Sequence, residues 1–533
     1  MASLASLPLP DPRNYVQSRH RNFIIRHSTY VVRALTDLNC WQRFSSSVRV
    51  PIRDLSEKPC VQAFSWLLLL LLLWMMLYSS EGDNATPSGD LFRLTALIIA
   101  ALLAGMVTDY FLRLPGLLGM LITGVIFRNT GFYYPAKGRY KDITITLKQI
   151  ATTVGMIRAG VRLVPDAIYA ALHCHHGLRL AGLAIVPSLF EAMAVAITSY
   201  FTLGYPAIWA LCLGFLLCPN SPSVITPPME ELVLAGYGEE KNIGVLVCGA
   251  AGLDVAISVS AFDICISLLF QTKDLGTTQM IQKGATDIFI DLGGGFVFGL
   301  IAGLMPIKDD VLAVWKRVFA VIASGMIAIA SSNPKVGLPG TGPLSCIVSS
   351  FVAAMLWKMQ LPLHSKMRVV DIIQMSWIVL CPMLFAFTGS DVDISILDLY
   401  TIQWMVSIVL LSICIRLLGC CLVLCCGQLN WKEIIFVGLI FQGKATNQAA
   451  LAPQILYNAW YSEDPENINM AVESVTLAVL AIMICTPLAH LGAKLGGPCL
   501  LSKIPVIQDT EVISIPFSIT SQLPVTELPN IHN

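Results

Sequence analysis

Charge is what this chain has least of. Asp, Glu, Lys and Arg supply 13% of its 533 residues, where a soluble domain carries about 25%. With 55% hydrophobic residues and a mean hydropathy of +0.70, that shortage excludes a water-soluble domain and requires a polytopic membrane protein. Net charge is also absent, since 34 Lys and Arg balance 34 Asp and Glu; nothing here argues for a nucleic-acid or acidic partner. No P-loop, nucleophile–base arrangement or zinc motif is present, which excludes ATP-driven pumping and hydrolytic chemistry and leaves no cofactor or metal to expect. The sixteen cysteines lack paired metal spacing and read as small residues of apolar runs, Cys420, Cys421, Cys425 and Cys426 among them. The His173-Cys174-His175-His176 run has ligand-type side chains, but it bunches them in one short connection. A secretory signal is missing too, because the first apolar run begins only near Phe64.

What is present is a succession of apolar runs. Residues 1–62 hold nine basic side chains, Arg13 through Lys58, against four acids, which by the positive-inside rule places this tail in the cytoplasm. Phe64 to Ser79 is apolar throughout, with Trp66, Trp74 and Tyr78 near its ends as in an interfacial belt. The loop that follows carries the sequon Asn84-Ala85-Thr86 on the side where glycosylation is possible. About fourteen apolar runs follow one another up to residue 492. The expected organisation is therefore a basic tail over 1–62, a transmembrane domain over 63–497 and a short proline-punctuated tail over 498–533. A multi-pass location in the plasma membrane is expected, because no retention signal appears. The Arg- and Ser-containing tail leaves a mitochondrial or other organelle membrane as the alternative.

Two of the runs look interrupted at membrane depth. Pro219-Asn220-Ser221-Pro222 places two prolines three residues apart, and each removes a backbone donor. The second candidate is Pro382 to Asp393, with Thr388 and Gly389 ahead of two aspartates; a plain helix end is the alternative reading there. Non-helical backbone in a bilayer is tolerated only where it is buried in protein or lines a watery cavity, and paired broken helices point to a transporter site between inverted repeats.

Four apolar runs each carry a buried ionisable residue: Glu191, Asp254, Arg416 and Lys444. A charge at the bilayer centre costs about 2.5–3.5 kcal/mol on insertion scales, so the economical arrangement pairs opposite charges inside the bundle. Which acid meets which base is open. Asp254 lies one helix after the Pro219-Pro222 interruption, and Lys444 is flanked by Gly443, Thr446, Asn447 and Gln448. A carboxylate facing an ammonium in a desolvated site can release a proton when a cation arrives. Arg158 and Arg162, one turn apart on a further run, form a wall, an interface contact or an anion-attracting surface.

The blocks Leu114–Asn129, Met156–Gly160, Ser221–Pro227, Gly236–Glu240 and Gly443–Pro453, taken in this order, resemble the NHA-type sodium/hydrogen antiporters, animal relatives of bacterial NhaA. The resemblance implies an all-α polytopic fold of about fourteen transmembrane helices, with inverted repeats and two broken helices crossing beside the ion site. It also implies a homodimer that exchanges protons for a monovalent cation across the bilayer by alternating access. Glu191 and Arg416 match the family's structural ion pair, and Lys444 matches the base that faces its ion-binding acids. At one position the chain departs: the family's Asp-Asp pair reads Asp254-Val255 here. A hard cation prefers carboxylate oxygen, so Val255 leaves proton-coupled anion (chloride) symport, or a transport-deficient partner, as alternatives to cation exchange. Asp263, nine residues beyond Asp254, falls half a turn out of phase.

Overall fold

The structure, a computed structural model, describes residues 59–503 apart from 135–140, 164–174, 271–276, 306–310, 332–341, 361–362, 397 and 426. Two compact units divide the chain at Thr86. In the first, helix α1 (Pro59–Glu81) continues into a 3-10 turn at Gly82–Ala85. The Trp74 indole donates to the Ala85 carbonyl at 2.9 Å and stacks on Tyr78, while Leu68 to Leu73 stand exposed along the helix. Asn84 of the sequon is half-buried and donates weakly to Glu81.

The regular structure of the second unit is all helical among the described residues, apart from one isolated bridge between Tyr237 and Lys503. Its helices in chain order are α2 (Asp90–Val107), α3 (Leu117–Asn129), α4 (Lys141–Arg162), α5 (His175–Thr202), α6 (Ala207–Leu217), α7 (Pro222–Leu234), α8 (Ile243–Phe270) and α9 (Thr277–Gly303). There follow α10 (Val311–Ser331), α11 (Pro343–Gln360), α12 (Leu363–Ser390), α13 (Leu399–Leu424), α14 (Trp431–Ile440), α15 (Thr446–Ser462) and α16 (Pro465–Leu491). Among the described residues, eight segments are long and apolar enough to cross a bilayer, and three shorter apolar helices accompany them. Large side chains such as Phe201, Phe289 and Phe319 lie on the outside, as expected where the surrounding medium is lipid. Of the HCHH run, His173 and Cys174 lie outside the described residues, and His175 opens α5.

Helices α5 to α8 and α13 to α16 pack into one bundle; α2 to α4 and α9 to α12 form another against it. The first bundle contains both interruptions. Residues 218–221 leave helical geometry between α6 and α7, and residues 441–445 do so between α14 and α15. Both helix starts have local reasons. Pro222 occupies the first turn of α7, where its missing N–H is not needed, and the Glu433 carboxylate accepts from the Asn430 amide at 2.7 Å before α14.

The second interruption is therefore not at Pro382–Asp393. Helix α12 runs through Pro382 and ends at Ser390, so Thr388 and Gly389 belong to its last turns. Gly389 has a packing reason: a Cβ there would lie 2.2 Å from the Leu121 carbonyl oxygen, and one on Gly124 would lie 2.1 Å from that of Ala386. These glycines let α3 and α12 cross in backbone contact. The true break lies at Gly443-Lys444, between α14 and α15, inside the apolar run that carries Lys444.

Candidate functional site

Breaking a helix strands backbone groups, and the two interrupted segments use each other to satisfy them. The Ser221 amide donates to the Gly443 carbonyl at 2.8 Å, and the Thr446 amide donates to the Ser221 hydroxyl at 3.1 Å. The carbonyls that end α6 are met by side chains of the second segment. Leu217 O accepts from Lys444 Nζ at 2.5 Å and from Gln448 at 3.1 Å, Pro219 O accepts from Gln448 at 2.7 Å, and Asn220 O accepts from the Asn447 amide. The Arg416 guanidinium donates to Cys218 O, and Thr486 of α16 donates to Lys444 O. Two cations thus stand at the carbonyl end of α6, where the helix dipole favours them.

The four buried charges of the sequence converge on this crossing. Asp254 receives the Asn220 amide at 2.7 Å, Ser258 at 3.0 Å, Arg416 Nη2 at 3.1 Å and the Ser188 hydroxyl. Its carboxylate also closes the amide end of the first break, ahead of α7, the complementary half of the dipole arrangement. Arg416 bridges to Glu191, whose other oxygen takes Lys444 Nζ at 2.6 Å. The order is Asp254–Arg416–Glu191–Lys444, every member with a fully buried side chain. Glu191 and Arg416 are in direct contact, but Lys444 faces Glu191 rather than Asp254, and Asp254 is met by Arg416. The network is neutral as a whole: two carboxylates, two cations.

Not every polar atom at the crossing is used. Both side-chain atoms of Asn220 and the Gln448 Oε1 are buried with no hydrogen-bond partner among the described residues. Val255 is fully buried and joins the apolar cluster that also holds Val224, Val259 and Ala449. A pocket reaches the crossing from one side, lined by Arg158, Arg162, Ser221, Ser223, Thr446 and Asn447. Arg158 is held there by Gln374 at 3.0 Å and by the Trp377 ring at 4.7 Å. Asp263 does not reach the crossing; it accepts from the Leu344 amide at 3.4 Å, at the start of α11.

Sequence reasoning missed Ser188 and Ser258. Their signal was local, for Ser188 precedes Glu191 by three residues and Ser258 follows Asp254 by four, spacings that share a helix face. Pro222, Thr388 and Gly389 supply no side-chain ligand at the crossing. Thr388 instead lies 3.0 Å from the Ala449 carbonyl and joins the two bundles. Cys420 is buried in α13, Cys421 is half-buried and Cys425 is exposed at the helix end, while Cys426 lies outside the described residues.

Residues 97–493 match the sodium/hydrogen exchanger transmembrane family. The chain belongs to that family. Among curated relatives it is 32% identical over 440 residues to sodium/hydrogen exchanger 9B1 of Macaca fascicularis, covering 82% of this chain and 83% of that protein. To human sodium/hydrogen exchanger 9B2 it is 30% identical over 478 residues, covering 88% and 85%. The fold is similar to that of the sodium proton antiporter MjNhaP1 from Methanocaldococcus jannaschii, with a TM-score of 0.63 at 14% identity over 77% of this chain and 99% of that one. Within this exchanger-family fold, the interrupted helices and the buried network lie in the same bundle. The family is one of transporters, and the chain is a multi-pass membrane protein.

Proposed function

We propose that this exchanger-family chain is a proton-coupled antiporter for a monovalent cation, sodium or lithium in the first place, with the crossing as its site. The observation that carries the reading is the neutral four-residue network built onto stranded backbone, next to unpartnered oxygens on Asn220 and Gln448. A cation entering a neutral buried network adds a charge that the site cannot hold. The charge that can leave is a proton, given up within the network whose two ends are Asp254 and Lys444. Asp254 keeps the Asn220 amide and the Arg416 guanidinium in place, so that the unpartnered side-chain oxygens of Asn220 and Gln448 are left for the cation. Exchange then follows from charge balance: one proton out for one cation in, with access changed by movement of one bundle against the other. A homodimer, on the strength of the family resemblance, completes the proposal, with the plasma membrane as its place because the sequence shows no retention signal.

The test is uptake of sodium or lithium into proteoliposomes under an imposed pH gradient. Wild-type protein should load the cation, and Asp254→Asn should abolish loading in a variant that still elutes as folded protein. Proton-driven chloride uptake indifferent to sodium would refute the proposal.

A further inference from the structure

A second buried polar cluster lies away from the crossing, at the seam between the bundles. Helix α4 serves as a ruler. It passes the crossing at Gly155, where a Cβ would come within 3.2 Å of Thr446. Arg162 stands seven residues to one side, at the mouth of the pocket described above, and Lys148 stands seven residues to the other. Each is about 10 Å from Gly155 along the axis.

At the Lys148 end, Lys148 Nζ meets Asp391 Oδ2 at 2.6 Å, with both side chains buried. This pair joins α4 to the end of α12, all within one bundle. The other bundle contributes Tyr457 of α15, whose ring lies 5.7 Å from Lys148 Nζ and whose hydroxyl stands in the electrostatic field of Asp391 and Tyr133. Tyr133 is itself tied to Thr144 at 3.0 Å. Two polar atoms of this cluster have no partner among the described residues: Asp391 Oδ1 and the Tyr457 hydroxyl. Asp391 is 6% exposed and Tyr457 7%.

Buried polar groups are almost always hydrogen-bonded, and a carboxylate oxygen more stringently than most. Leaving a carboxylate oxygen and a hydroxyl unmet in one place is unfavourable unless something polar enters. A site lined by such groups takes water or a cation. The geometry points to a second stop for the transported cation on the far side of the crossing, in which Asp391 is the ligand and Lys148 the charge that holds it until the cation arrives. The inference rests on the proposed antiport for its cargo. With the N-terminus taken as cytoplasmic and α1, α2 and α3 each taken as one crossing, α4 begins at the outer face, so this site is the outer half of the path and the Arg158–Arg162 pocket the inner half. Asp391 belongs to one bundle and Tyr457 to the other, so relative movement of the bundles parts the site or brings it together.

The full-length protein tests this in intact cells and in vesicles of known orientation. Tyr457→Cys, against the parent background, should react with a membrane-impermeant thiol reagent applied from outside, and sodium or lithium should slow that reaction where choline does not. Adding Asp391→Asn should remove the protection. In transport, Asp391→Asn should raise the cation concentration for half-maximal flux from the outer side by roughly tenfold or more, the loss of one charge-assisted ligand, and leave the inner-side value within twofold. A Tyr457→Cys variant that reacts no faster than the parent, protection that survives Asp391→Asn, or an equal shift on both faces would overturn the inference. Protection is read without any flux, so a wild-type protein that binds but exchanges no protons would sink the antiport proposal and leave this one standing.

Discussion

Glu191→Gln is the most informative perturbation of the network, because Glu191 touches both cations. Its oxygens take Arg416 and Lys444, and all three side chains are fully buried. Removing its charge leaves two buried cations with one carboxylate, Asp254, which lies 3.1 Å from Arg416 and serves that cation rather than Lys444. Breaking a buried pair in this way costs about 3–5 kcal/mol. Lys444→Met should cost less, about 1–3 kcal/mol: Glu191 keeps Arg416, and Leu217 O keeps the Gln448 amide at 3.1 Å. The double variant removes one charge of each sign and leaves Arg416 with Asp254. Its cost should fall below the sum of the single costs by about 2 kcal/mol, a coupling typical of residues in one network. Equilibrium unfolding in mixed detergent micelles measures all three. A Glu191→Gln cost no larger than that of Lys444→Met, or two costs that add to within about 0.5 kcal/mol, would mean that Lys444 does not belong with Glu191.

Two further outcomes separate readings that the sequence left side by side. Val255→Asp places a carboxylate in an apolar, fully buried position beside Asp254. It should make folding depend on sodium or lithium, by about 2.7 kcal/mol at a cation concentration a hundred times Kd, and raise cation flux; a folded variant showing neither would remove this position from the ion site. Gly389→Ala tells packing from helix breaking. A new Cβ only 2.2 Å from the Leu121 carbonyl oxygen should destabilise by about 1–3 kcal/mol, whereas a glycine that merely weakened the helix would give a gain of roughly 0.5–1 kcal/mol on replacement.

Much of the architecture was legible in the chain. Scarce charge and long apolar runs dictate helices that satisfy their own backbone, since lipid offers no partners. Prolines at 219 and 222 marked the first break because each removes a backbone donor, a strictly local effect. The second break was misplaced for the same reason. Pro382 is a local disturbance that α12 absorbs, while Gly443-Lys444 shows no proline and parts only because the Gly443 carbonyl and the Thr446 amide find Ser221, and the Lys444 carbonyl finds Thr486, on other segments.

The charges follow the same division. That Glu191, Asp254, Arg416 and Lys444 must find partners is a consequence of residue type and apolar surroundings alone, and could be stated from the sequence. Which partner each takes could not be stated from residue type and patterning, because two acids and two bases on separate helices combine in more than one way at equal cost. The family resemblance implied Glu191 with Arg416 but set Lys444 against the ion-binding acids, where the structure sets it against Glu191. Tertiary structure decided it by aiming Lys444 and Arg416 at the carbonyl end of α6 and Asp254 at the amide end of the break. The dipoles of the interrupted helix order the charges around it.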